Sequence, residues 1–83
     1  MIVFEDEALF QYMQWGVEDR KILNKINALI KDMLNDPFHG IGKPEPLKYG
    51  LTGHWSRRIT DEHRLVYKVE NAQIIIVSCK YHY

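Results

Sequence analysis

The run His63-Arg64-Leu65-Val66-Tyr67-Lys68-Val69-Glu70-Asn71-Ala72-Gln73-Ile74-Ile75-Ile76-Val77-Ser78-Cys79-Lys80 decides the fold. Its two apolar, β-branched halves, 63–69 and 73–80, flank Glu70-Asn71-Ala72. Such halves read as strands, and so short a connection makes them antiparallel neighbours. Residues 54–59 have the same character and reach the next run through Thr60-Asp61-Glu62, so the spacing predicts a three-stranded meander. Period-two alternation then sorts the faces. Leu65, Tyr67 and Val69 share one face. With 70–72 as a three-residue loop, Val69 opposes Gln73, Tyr67 opposes Ile75 and Leu65 opposes Val77; this face is expected to meet the core. The opposite face carries Arg64, Val66 and Lys68 with Ile74, Ile76, Ser78 and Lys80. His82 keeps the parity of Lys80 in a regular strand.

Upstream of the meander the period changes. Ile2-Val3-Phe4 reads as a short strand, and Glu5-Asp6-Glu7 supplies the acids that favour a helix N-terminus. A first helix is expected to about Trp15, with Leu9, Tyr12 and Met13 on its apolar side and Gly16 ending it. Ile22, Leu23, Ile26, Leu29, Ile30, Met33 and Leu34 recur at helical spacing, and Asn35-Asp36-Pro37 stops this second helix. Residues 38–53, rich in glycine and proline, are read as loop. The expected fold is α+β: one domain over 1–83, ordered β-α-α-β-β-β. Its two-helix hairpin packs on one face of a mainly antiparallel sheet.

The chain has 83 residues, no formal net charge and a single cysteine. One domain of this size buries about 60% of its unfolded surface. The lone thiol excludes an internal disulfide, and Cys79 in an apolar strand reads as a small core residue. Trp15 and Trp55 also read as core. Residues 43–68 concentrate Lys43, Lys48, Arg57, Arg58, Arg64 and Lys68 against Glu45, Asp61 and Glu62. This local cationic surface suits an anionic partner better than the neutral total suggests. Met1-Ile2-Val3-Phe4 is too short for a signal peptide or membrane span, so the expected location is the cytoplasm, with no membrane partner. His39, His54 and His63 lack metal-ligand spacing, and Gly40-Ile41-Gly42 lacks a phosphate-loop setting. Neither a metal nor a cofactor is expected.

Treating 60–62 as a three-residue turn sets Arg58 opposite Arg64. Like charges directly opposite are destabilising; an anionic ligand between them would explain the pair, and ion pairing with Asp61 or Glu62 is the plainer alternative. With a carboxylate, an imidazole and a phenol, these guanidiniums suit cleavage of RNA through its own 2′-hydroxyl. Glu45, stiffened between Pro44 and Pro46, is the candidate base, or else an ordinary solvated loop residue. Lys48 is a phosphate ligand or a solvated lysine. Arg58 and Arg64 form a candidate phosphate clamp, since the guanidinium fork fits phosphate oxygens. Arg57, of opposite parity, either fringes the core or contacts RNA. His82 is the candidate acid, and Tyr83 stacks on a base or orients the phosphate; a frayed end is the alternative for both.

Three stretches carry a specific likeness. They are Asp36-Pro37-Phe38-His39-Gly40-Ile41-Gly42-Lys43-Pro44-Glu45-Pro46-Leu47-Lys48, then Leu51-Thr52-Gly53-His54-Trp55-Ser56-Arg57-Arg58-Ile59-Thr60-Asp61-Glu62-His63-Arg64-Leu65-Val66-Tyr67, and the ending Cys79-Lys80-Tyr81-His82-Tyr83. With Tyr12, Trp15, Lys25-Ile26-Asn27 and Leu29-Ile30-Lys31-Asp32, the chain resembles the YoeB toxins of the RelE superfamily nearly throughout. The resemblance implies a fold like that of small microbial ribonucleases and metal-independent cleavage of messenger RNA in the ribosomal A site, which inhibits translation. It also implies a homodimer and an antitoxin of the YefM type that displaces the C-terminal segment. By the resemblance Glu45 matches the general base, His82 the general acid and Arg64 the transition-state arginine, while Lys48, Arg58 and Tyr83 match supporting residues. The competing reading is a ParE-like toxin that acts on gyrase without cutting RNA.

Overall fold

Asp19 alone separates the two helices in the computed structural model, which describes residues 1–81. The expectations for His82 and Tyr83 lie outside the described residues. Helix α1 spans Asp6–Glu18 and α2 spans Arg20–Asn35. The Asp19 carboxylate accepts from the N–H groups of Lys21 and Ile22 and caps α2. Tyr12 donates its hydroxyl to Asn27 Oδ1 at 2.6 Å and pins the hairpin. Helix α1 runs through Gly16, where the sequence suggested a break. A mid-helix glycine costs only about 1 kcal/mol against alanine, and burying Trp15 outweighs that.

Strands β1 (Ile2–Phe4), β2 (Glu45–Pro46), β3 (His54–Arg58), β4 (Arg64–Glu70) and β5 (Gln73–Ser78) form one sheet in the order β1-β5-β4-β3-β2. Strand β1 joins β5 in parallel, and every other pairing is antiparallel. The expected α+β fold, with helices after a first strand and then a meander, is present. It gains a two-residue edge strand, β2, inside the stretch read as loop. Among the described residues no helix is long and apolar enough to cross a membrane.

The core lies between the helices and one sheet face. Ala8 and Trp15 of α1 and Ile26, Leu29 and Met33 of α2 meet Ile59, Leu65, Tyr67, Ile74, Ile76 and Cys79. The inward residues of β5 correct the expected register. Only Asn71 and Ala72 form the β4–β5 turn, both left-handed (φ 51° and 61°), so Glu70 pairs with Gln73, Val69 with Ile74 and Tyr67 with Ile76. Two successive left-handed residues match the twist of a hairpin. Shortening the loop by one residue reverses every face of the strand. Ile74 and Ile76 therefore point inward, and Ile75 and Val77 are the half-buried ones. A register shift leaves Val77 as an extra residue before Ser78 pairs with Val66, which returns Cys79 to the core. Burial pushes the Cys79 thiol up to about 12, so the group stays neutral and serves packing.

Candidate active site

Glu45 reaches the sheet because Pro44 and Pro46 hold the chain extended and Leu47 donates its N–H to the His54 carbonyl. The resulting short strand sets Glu45 opposite Ser56 on β3. Ser56 pairs in turn with Val66, and Arg58 pairs with Arg64. Cross-strand partners project to the same side of a sheet. Glu45, Ser56, Arg58, Arg64 and Val66 thus share the face turned away from the helices. Direct partners stand about 5 Å apart at Cβ and diagonal ones about 7–8 Å, so Glu45 lies diagonal to Arg58, which lies opposite Arg64.

The guanidinium pair expected from the turn length is present, with a partner. Arg58 forms an ion pair with Asp61 from the β3–β4 turn, the plainer of the two alternatives. The pair is solvent-exposed and thus weak, so an entering phosphate can compete for Arg58. Among the described residues no hydrogen bond or ion pair engages the half-buried Arg64 side chain. Glu45 is exposed, as is Lys48 in the turn beyond β2. Ser56 Oγ is fully buried beside Glu45 with no hydrogen-bond partner among the described residues. An exposed carboxylate diagonal to one guanidinium, with a second on the strand beyond, can take a proton while the cations hold a phosphate between them.

Arg57 corrects the expectation that it contacts RNA. Its opposite parity points it toward α2, where it is fully buried and all five of its donor hydrogens are occupied. Nε donates to the Tyr67 hydroxyl; one terminal nitrogen donates to Asp32 Oδ2 at 2.6 Å and to the Ile41 carbonyl; the other donates to the carbonyls of Asp36 and His39. No donor remains for a phosphate. Tyr67 completes the knot by donating to the Pro37 carbonyl at 2.6 Å. Arg57 therefore fastens residues 36–41 onto the core, immediately before Lys43-Pro44-Glu45. Two glycines let the loop lie so close. Gly40 (φ +134°) sits against the Asp32 carboxylate, and a Cβ at Gly42 (φ +78°) would stand 2.7 Å from Leu29. The Arg57 bond, aided by the Ile41 N–H, holds the Asp32 carboxyl below its ordinary value.

The segment after β5 is anchored by groups not singled out from the sequence for that purpose. Gln11 Oε1 accepts from the Cys79 N–H at 2.7 Å, and Trp15 donates its indole N–H to the Cys79 carbonyl at 2.9 Å. Tyr81 donates its N–H to His63 Nδ1 at 2.8 Å, and the Tyr81 carbonyl accepts from the Arg64 N–H at 3.0 Å. The chain thus arrives beside Arg64 at the last described residue.

A family model, "YoeB-like toxin of bacterial type II toxin-antitoxin system", matches residues 4–83. Toxin YoeB of Escherichia coli K12 is 51% identical over 82 residues, which cover 99% of this chain and 98% of that one. A YoeB/ParE toxin from Agrobacterium tumefaciens superposes with a TM-score of 0.96 at 42% identity, covering 99% of this chain and 98% of the other. The toxin in a heterotetrameric YoeB-YefM complex from Staphylococcus aureus superposes at 0.92 with 49% identity, covering 100% and 97%. The YoeB dimer from the same organism gives 0.91 at 49%, covering 99% and 95%.

Proposed function

The chain belongs to the YoeB-like toxins of bacterial type II toxin–antitoxin systems, and on that premise we propose that it is a ribosome-dependent endoribonuclease that cuts messenger RNA in the A site. The observation that carries this reading is the convergence of Glu45, Arg58 and Arg64 on one sheet face. Glu45 removes the 2′-hydroxyl proton. The 2′-oxygen attacks phosphorus, and Arg58 and Arg64 stabilise the charge that builds on the phosphoryl oxygens. Lys48 adds a further cation. The P–O5′ bond breaks as His82 gives its proton to the departing oxygen, with Tyr83 orienting the phosphate or stacking on a base. The products are a 2′,3′-cyclic phosphate and a 5′-hydroxyl, and the proton balance closes without a metal or cofactor.

The ribosome supplies the substrate strand already held, which moves much of the orientation cost off this small chain. A toxin that blocks translation acts in the cytoplasm. The YefM complex and the dimer of the S. aureus relative support a YefM-like antitoxin and self-association for this chain. Purified protein added to programmed ribosomes is expected to cut the bound message, and to leave the same message nearly intact without ribosomes. An intact message on ribosomes, together with DNA damage in induced cells, would replace this reading with a gyrase-directed one.

A further inference from the structure

His63 holds a position that the mechanism above does not use. It lies just before β4, is 6% exposed and packs edge-on against the Trp15 ring at 4.8 Å. Its Nδ1 accepts the Tyr81 N–H, so its proton must sit on Nε2. That nitrogen faces Glu62 Oε1 at 3.5 Å. The Tyr81 ring stands 5.4 Å from the imidazole, and Lys80 Nζ lies over both Trp15 and Tyr81. Tyr81 itself is left-handed at φ 61°. A bulky residue in that region carries strain of order 1–3 kcal/mol and stays there only when its surroundings over-determine it. Two hydrogen bonds do so: one to the His63 ring, one from the Arg64 backbone.

We infer that His63 is a positioning residue whose Nδ1 locks the bend at Tyr81 and so fixes where the chain leaves the sheet beside Arg64. The inference rests on the proposed cleavage, in which the acid is the next residue after Tyr81. An error of about 1 Å in such a group can cost of order a hundredfold in rate, so the bend needs a rigid latch. Tyr81 alone does not provide it, since the residue is 56% exposed. The latch is built from the β4 entry, where His63 and Arg64 are adjacent. One dipeptide therefore holds the phosphate-binding guanidinium and Tyr81 together.

The test compares His63→Asn with His63→Gln. Asparagine puts its side-chain oxygen where Nδ1 stands; glutamine reaches the Nε2 position and leaves the Tyr81 N–H without an acceptor. Hydrogen exchange at the Tyr81 amide and single-turnover cleavage on programmed ribosomes are both read. His63→Gln should lose Tyr81 protection while Ile26 and Leu29 amides stay protected. Its saturated cleavage rate should fall about ten- to a hundredfold with little change in ribosome affinity. His63→Asn should restore the protection and most of the rate. In the unmodified chain, imidazole nitrogen shifts should show Nδ1 unprotonated and Nε2 protonated, a reading that needs no variant to fold. A proton on Nδ1, or two variants that behave alike, overturns the latch. If the unmodified chain cuts nothing, the cleavage reading fails, and the exchange and nitrogen-shift measurements still decide the latch.

Discussion

Glu45→Gln is expected to slow message cleavage on programmed ribosomes at least about a hundredfold, with an unchanged melting temperature. The change removes the proton acceptor and keeps the shape. Its expected innocence toward folding follows from its place: Glu45 is exposed on a two-residue edge strand, and its backbone pairing with Ser56 is indifferent to the side chain. Single-turnover kinetics against the unmodified protein, at ribosome concentrations above half-saturation, measure the loss in the chemical step. Ribosome binding should persist, because Arg58, Arg64 and Lys48 are untouched. A variant that cuts as fast as its parent removes Glu45 as base without disturbing the fold.

Arg57→Ala has the other large effect, on stability. Each buried acceptor left without its donor costs about 1–3 kcal/mol, and small domains are stable by only about 5–15 kcal/mol in all. Here the loss strands the carbonyls of Asp36, His39 and Ile41, all turned toward the vanished guanidinium, and leaves the Tyr67 hydroxyl with its bond to Pro37 alone. Urea unfolding should show the midpoint falling to a small fraction of its original value, or no folded baseline. Arg57→Lys should recover little, since one ammonium cannot replace a planar fork with five donors. The ion pair also carries a pH signature. The folded Asp32 carboxyl sits below its ordinary value of 3.8 because of Arg57. Its stabilisation is therefore complete above the ordinary carboxylate range and is lost as the pH falls through the lowered folded value. Asp32→Asn should flatten that acid limb of the stability profile. An Arg57→Ala protein as stable as its parent would mean that residues 36–41 are held by something else.

Local signals settled the parts of the fold that repeat. Helix α2 was legible because Ile26, Leu29 and Met33 recur at its period, and all three are fully buried. The Arg58–Arg64 pairing was legible because Thr60-Asp61-Glu62 fixes the register by simple counting. The neighbouring hairpin was not, since its turn asks Ala72 to adopt a left-handed backbone that alanine rarely takes. One residue of difference reversed the faces of β5. Strand β2 is too short to show alternation, so only its prolines hinted that Glu45 is held.

The site residues divide in the same way. Residue type and register made Glu45, Arg58 and Arg64 candidates with plainer alternatives open, the family resemblance favoured the catalytic reading, and the sheet sets the three on one face. Arg57 misled because its partners are remote: Asp32 is 25 positions away and Asp36 is 21. A cationic neighbour of Arg58 looks like a phosphate ligand until the packing of the 36–41 loop is known. Gln11 and His63 act through backbone groups 68 and 18 positions off, and no local pattern announces such bonds.

A message carrying a single 2′-deoxynucleotide on the 5′ side of the scissile bond tests the chemistry most directly. Under the proposed mechanism the ribosome would still position that strand and the cations of the β3–β4 face would still meet its phosphate, but Glu45 would have no hydroxyl proton to take. Cleavage at that linkage should vanish, while the all-ribose message yields an upstream fragment ending in a cyclic phosphate. Equal cleavage of the deoxy-substituted message would show that water or another nucleophile attacks the phosphorus, and Glu45, Arg58 and Arg64 would no longer form the site described.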